Sequence, residues 1–153
     1  MNPYQLVEDI NRKSAEIKML ISRTLPIKAG NVAVEHFKEN FQKGGFVDGG
    51  LKKWKPSKRL SSGSKSAAAN RPTLMSGRDM LYNDIKKETR DGEVLIHTTN
   101  QTEDYAAVHN EGLRAGRGKG FQMPKRQFIG DSKELNEKVK TLIESEVAKI
   151  LKI

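Results

Sequence analysis

Tyr105-Ala106-Ala107-Val108-His109-Asn110-Glu111-Gly112 and, ten residues further on, Met123-Pro124-Lys125-Arg126-Gln127-Phe128-Ile129-Gly130 are the stretches on which the reading of this chain turns. Tyr105–Val108 reads as a short helix or a tight extended turn, and Gln127–Ile129 as a short strand or bend. The run between the two blocks is rich in Gly and Arg. Residues 112–120 hold four glycines, which argues against regular structure there. After the second block the pattern becomes clear. Asp131 and Ser132 offer an N-cap, and Glu134 sits at capping-box spacing from Asp131. Leu135, Val139, Leu142, Ile143, Val147, Ile150 and Leu151 then form one apolar stripe of a C-terminal helix.

Working outward to the N-terminus, Leu6, Val7, Ile10, Ile17, Leu20 and Ile21 recur at three- and four-residue steps, which predicts a helix over 3–25. Pro26 should end it or force a turn. Ala33, Val34, Phe37 and Phe41 predict a second helix over 28–43, stopped by Gly44-Gly45. Two helices joined so closely predict an antiparallel hairpin. Trp54, the sole Trp, reads as an anchor against that hairpin. Residues 55–72 are rich in Ser, Ala, Gly and Lys with Leu60 as the one large apolar side chain, and read as a long mobile loop. Ser76 can cap a short helix containing Met80, Leu81 and Ile85. Asp91-Gly92 is a turn signal; a strand is predicted at 93–99, and another at roughly 84–90 before it.

The chain has 153 residues, 35% of them hydrophobic, with a mean hydropathy of -0.69. That suits one domain over 1–153 with a modest core and some chain outside it. No stretch of about 18 apolar residues reads as a membrane span, and no secretory signal is visible at Met1-Asn2-Pro3-Tyr4. Cysteine is absent, which excludes disulfides, thiolate metal sites and Cys nucleophiles. The net charge of +9 is localised. Residues 55–72 carry Lys55, Lys58, Arg59, Lys65 and Arg71 with no acid, and residues 113–126 carry Arg114, Arg117, Lys119, Lys125 and Arg126 with none. The rest of the chain sets 18 basic residues against 19 acidic ones. Basic charge in two loops suits nucleic acid or an acidic partner, or serves only to keep loops solvated.

A search for chemistry yields no catalytic site. His36, His97 and His109 do not pair at metal-ligand spacing, and His109 with Glu111 supplies too few ligands. His109 reads as structural, its ring nitrogens bonding backbone in a turn. No Gly-x-Ser-x-Gly elbow or phosphate loop is present; Gly116-Arg117-Gly118-Lys119-Gly120 precedes no helix and reads as a flexible loop. Trp54, Phe121 and the basic runs could clamp single-stranded nucleic acid, but aromatic and basic residues do not interleave as a stacking platform requires. No basic helix-turn-helix is indicated.

The ordered set of features is more specific than any one of them. Two helices and a Gly-Gly element precede Trp54-Lys55-Pro56 and a basic loop. Leu74-Met75-Ser76-Gly77 and a strand follow, then Tyr105-Ala-x-x-His109-x-x-Gly112, Pro124-x-Arg126-x-Phe128-x-Gly130 and a final helix. This order resembles the phage virion morphogenesis family, which includes tail-completion proteins of phages and prophages. Two departures stand out: Gln127 replaces the Pro of an Arg-Pro-Phe, and Gly77-Arg78-Asp79-Met80-Leu81 replaces a Gly-x-Leu.

The resemblance implies a non-enzymatic structural protein, without cofactor or metal, that acts in tail completion or head–tail joining. It implies an α+β fold: an N-terminal helical hairpin and a C-terminal helix packed on a small antiparallel sheet, with a long mobile basic loop. The implied place is the tail or neck of the virion, after synthesis in the host cytoplasm. The implied partners are other tail or neck proteins and further copies of the chain in a ring, with no membrane. Within that frame Lys55, Lys58, Arg59, Lys65, Arg71, Arg114, Arg117, Lys119 and Lys125 are candidates to contact DNA phosphates or neighbouring subunits. Assembly is the preferred role for 113–126, since the two blocks clamp it at both ends. Trp54, Tyr105, His109, Gly112, Arg126 and Phe128 are candidate structural anchors, with Tyr105 and Phe128 in the core and Arg126 in an ion pair or backbone contact. The alternatives are a sequence-independent nucleic-acid-binding module using the basic loops, and a small enzyme using His109 and Glu111.

Overall fold

The computed structural model describes residues 1–75, 78–99 and 102–152. The fold is α+β: long helices at both ends and short antiparallel strands between them. The predicted N-terminal hairpin is replaced by one continuous helical run. Helix α1 (Pro3–Met19) passes through a π-helical turn (Leu20–Thr24) into α2 (Leu25–Lys43), with helical dihedrals at both joins. Pro26 explains the turn. It has no N–H for the carbonyl of Ser22, four residues back, and a helix can survive that loss where the ladder is locally widened. Here the Leu25 amide donates to Leu20, and the orphaned Ser22 carbonyl accepts instead from the Gly92 amide at 3.1 Å. The proline is therefore absorbed, and the turn at Gly92 is fastened to the helix.

Asn2 opens α1 with a capping box to Gln5. The α1 stripe is covered poorly: Leu6, Val7 and Ile10 are about half exposed, and burial is reached only at Leu20. Helix α2 stops at Gly44, whose φ of 66° is the left-handed shape expected of it. Strands β1 (Gly45–Val47) and β2 (Leu51–Lys53) form a hairpin after it. Residues 55–72, expected to lack structure, contain a 3-10 turn at Lys58–Ser61. A single helical turn, α3 (Met80–Asn83), follows; the Ser76 cap expected for it lies outside the described residues.

Strands β3 (Lys86–Arg90) and β4 (Glu93–His97) meet the prediction for this region. Helix α4 (Glu103–Glu111) carries the first block, so the helical alternative holds there. The glycine-rich run differs from expectation: β5 (Arg114–Ala115) and β6 (Phe121–Gln122) pair as a short hairpin. The expected single sheet is thus three separate two-stranded ribbons. Helix α5 (Lys133–Leu151) is capped by Ser132, whose Oγ accepts from the Leu135 amide. Its stripe packs on α2 and α1, with Ile143 left 40% exposed.

The core centres on Phe41, which is fully buried. Its ring meets Trp54, Tyr82 and Phe128 at centroid distances of 5.5, 5.9 and 5.2 Å, in the edge-on and tilted geometries aromatic pairs prefer. Ala33, Phe37, Phe46, Leu81, Ile85 and Ala106 complete it. Among the described residues no helix is long and apolar enough to cross a membrane.

Candidate functional site

The two sequence blocks lie side by side, and polar groups stitch them together. Asn110, at the end of α4, accepts with Oδ1 from the amides of Phe128 and Ile129 at 2.9 and 3.0 Å. The carbonyl of His109 accepts from the Arg126 amide at 2.7 Å. Gly112 closes α4 at φ 69°, and a Cβ there would stand 2.9 Å from backbone atoms of Lys125. Only glycine meets both demands. The blocks therefore fix both roots of the intervening chain.

That chain is a projecting arm. Arg114 pairs with Gln122 and Ala115 with Phe121, and the Met123 amide donates to the Leu113 carbonyl at 3.0 Å. At the apex Gly116, Gly118 and Gly120 all take positive φ. Arg114 stiffens the turn: its Nε donates to the Lys119 carbonyl at 2.7 Å, and its Nη2 donates to the same oxygen. Arg117 and Lys119, flanking Gly118, are exposed.

The second basic stretch is closed by Arg59. Its Nη2 donates to the carbonyls of Arg71, Pro72 and Met75 at 3.3, 2.6 and 2.7 Å. The Ser57 amide donates to Thr73 Oγ1, and Ala69 is tucked inward. Arg59 was expected at a partner surface, but it instead faces its own loop. Lys55, Lys58 and Lys65 are exposed, and Arg71 is half-buried.

Arg126 joins the two stretches. It is 6% exposed and donates from Nε to the Lys55 carbonyl at 2.8 Å and from Nη2 to the Pro56 carbonyl at 3.3 Å. Nη1 faces Met123 Sδ. Its oxygen partners are backbone carbonyls, and among the described residues no carboxylate pairs with it. Burial pushes its pKa down from the usual arginine value. Trp54 packs against Phe41 and spends its indole N–H on the Gln127 carbonyl at 2.8 Å. Phe128 is 1% exposed.

Two anchors differ from expectation. Tyr105 is not in the core: it is 52% exposed and lies edge-on to the His109 ring at 4.5 Å. It sits on the outer side of α4, while Ala106 faces inward. His109 is buried, but its ring makes no backbone bond through Nδ1, which has no partner among the described residues. Its carbonyl makes the contact instead. Burial first, and the Arg126 charge second, push the His109 pKa down to about 4, so the ring is neutral near pH 7. The His109–Glu111 pair of the enzymatic reading is not assembled. Glu111 is held by Asn110 Nδ2 at 2.6 Å and faces Lys125 at 3.8 Å. Among the described residues no group of three or more His, Asp or Glu could hold a metal.

Several supporting contacts went unread in the sequence. Asn40, fully buried, donates to the Phe128 carbonyl and accepts from the Val47 amide. Ser132 Oγ donates to the Val47 carbonyl at 2.7 Å and lies 3.0 Å from His36 Nε2. Glu134 accepts from the amides of Gly49 and Gly50 at 2.9 and 3.0 Å, bonds that hold its pKa below the usual carboxylate value. The signal for Asn40 and His36 was their place on the apolar side of α2, beside Ala33 and Phe37. A polar side chain on a buried face must find a partner.

Comparison with known proteins adds one finding. The model of the phage virion morphogenesis family matches residues 10–148, which include both blocks, the arm and the basic loop. No significant match was found among curated proteins or among solved structures.

Proposed function

Because this chain belongs to the phage virion morphogenesis family and serves phage particle assembly, we propose that it completes the tail or joins tail to head. The observation that carries this reading is the family match over residues 10–148, which spans the core and both basic stretches. The geometry suits the role. A joining protein needs a body that keeps its shape and segments that reach outward to neighbours. Phe41 and its aromatic partners supply the body, and Arg126 roots two segments beside each other on it. Further copies of the chain in a ring at the tail or neck, together with other tail or neck proteins, are the partners in this proposal. No reaction is part of it; the chain works as a component of the virion.

The test is electron microscopy of particles made by a phage that lacks the gene. Filled heads lying apart from unfinished tails are the expected outcome. Complete, joined particles in normal numbers would overturn the proposal.

A further inference from the structure

We propose that the arm over residues 113–123 and the adjoining lysines of the 55–72 loop form a contact surface for the phosphate backbone of duplex DNA, used without regard to sequence. This goes beyond the assembly role and stands apart from it.

The first ground is unspent charge. Among the described residues, Lys55, Lys58, Lys65, Arg117 and Lys119 are exposed and have no carboxylate within ion-pair distance. Outside the two stretches 18 basic residues face 19 acidic ones, and several pair: Arg12 with Asp9 and Glu16, Lys28 and Lys149 with Glu146, and Lys138 with Glu39. The two stretches with no acid of their own are the ones left unbalanced.

The second ground is placement. Arg126 brings the start of one stretch against the end of the other, so the two basic segments leave the body from adjacent roots. The apex that carries Arg117 and Lys119 is already shaped by the Arg114 bonds to the Lys119 carbonyl and by the bond from the Gly120 amide to the Arg117 carbonyl. A preformed two-stranded ribbon loses little entropy on binding, and a ribbon of this kind fits the wide groove of B-form DNA.

The third ground is what the surface lacks. Single-stranded nucleic acid is held by stacked aromatic rings, but Trp54 is buried with its N–H committed to Gln127. Phe121 is exposed, and its ring lies against Gly116. An acidic protein partner fits less well. Cores of protein interfaces are poor in lysine, and lysines supply Lys55, Lys58, Lys65, Lys119 and Lys125 here. Scattered lysines with no fixed geometry are what phosphates accept.

The experiment measures the affinity of the full chain for a duplex oligonucleotide across a salt series. Each phosphate contact contributes about 0.9 to the log–log salt slope. R117A/K119A should therefore lower the slope by about 2, and K55A/K58A should lower it similarly. The charge-matched control K18A/K140A, on exposed helical surfaces, should leave it nearly unchanged. Oligothymidine should bind more weakly than duplex, and polyglutamate of equal charge should compete poorly. Absence of duplex binding at low salt would overturn the inference, as would equal slopes for the arm and control variants. Polyglutamate competing as well as DNA would transfer the surface to an acidic protein partner. Loss of DNA binding in a variant that still supports head–tail joining would leave this inference intact and separate it from the assembly role.

Discussion

Arg126 Nε donates to the carbonyl oxygen of Lys55 at 2.8 Å, a bond that spans 71 residues of sequence. A buried guanidinium normally sits against a carboxylate; this one is spent on backbone carbonyls at the roots of two basic segments. Its fork shape suits the task, since two carbonyls on consecutive residues can be met at once. The charge that remains adds to the positive field of the neighbouring loops.

Removing that fork should loosen both segments. Arg126→Ala leaves the Lys55 and Pro56 carbonyls without a donor and should lower stability by about 2–4 kcal/mol in urea unfolding. Arg126→Lys retains the charge without the fork and should fall between. Equal stability of R126K and wild type would mean that charge, not geometry, is what the site requires.

Asn110 is the stitch between the two blocks. Asn110→Ala should cost about 2–3 kcal/mol, because the amides of Phe128 and Ile129 lose their common acceptor. Asn110→Asp keeps an acceptor oxygen and should lose less, with Glu111 nearby limiting the recovery. Thermal melts of the pair settle this. Identical losses would argue that the side chain acts by packing alone.

Two glycines of positive φ should respond differently to the same change. At Gly112 an added Cβ meets the Lys125 backbone at 2.9 Å, so Gly112→Ala combines backbone strain with a clash against atoms that cannot swing away. At Gly118 nothing lies within 4 Å, so Gly118→Ala bears the strain alone, about 1 kcal/mol. The Gly112 variant should lose at least twice as much on chemical denaturation. Similar losses at both positions would contradict the close approach of α4 to Lys125.

Acid should weaken the fold through His109. Its pKa is pushed down to about 4 in the folded chain, against the ordinary 6.5. Between those values the unfolded chain binds a proton that the folded chain does not. Stability therefore falls as pH drops from about 6.5 to about 4, by at most about 3 kcal/mol from this group. His36, whose pKa burial also lowers, acts in the same direction. His109→Phe removes the titration and the unpaired Nδ1 together. It should shrink the stability difference between pH 7 and pH 5; an unchanged difference would remove His109 from the account.

The periodic parts of the fold were legible from residue spacing. Helix α5, with its Ser132 cap, and the β3–β4 hairpin around Gly92 follow from local pattern. Pro26 misled because its effect depends on a distant partner: the Ser22 carbonyl it frees is taken by Gly92, which no local reading supplies. The same holds for the site. Gly112 and Phe128 stand out in the blocks, but Asn110 and Asn40 matter through backbone groups far away in sequence, the Phe128 amide and the Phe128 carbonyl. The resemblance places Tyr105 in the core, but the turn of α4 puts Ala106 inward and Tyr105 outward. The glycines of 112–120 signalled a break in structure, and in a short hairpin those breaks are the turn itself.

The assembly role is tested most directly by restoring infectivity in a lysate. Cells infected by a phage lacking this gene would be lysed, and the purified chain added to the mixture of heads and tails. The account predicts a rise in infectious particles that depends on the amount of protein added, with joined particles visible by electron microscopy. No rise with folded, soluble protein, in a lysate that the extract of wild-type-infected cells does rescue, would contradict it.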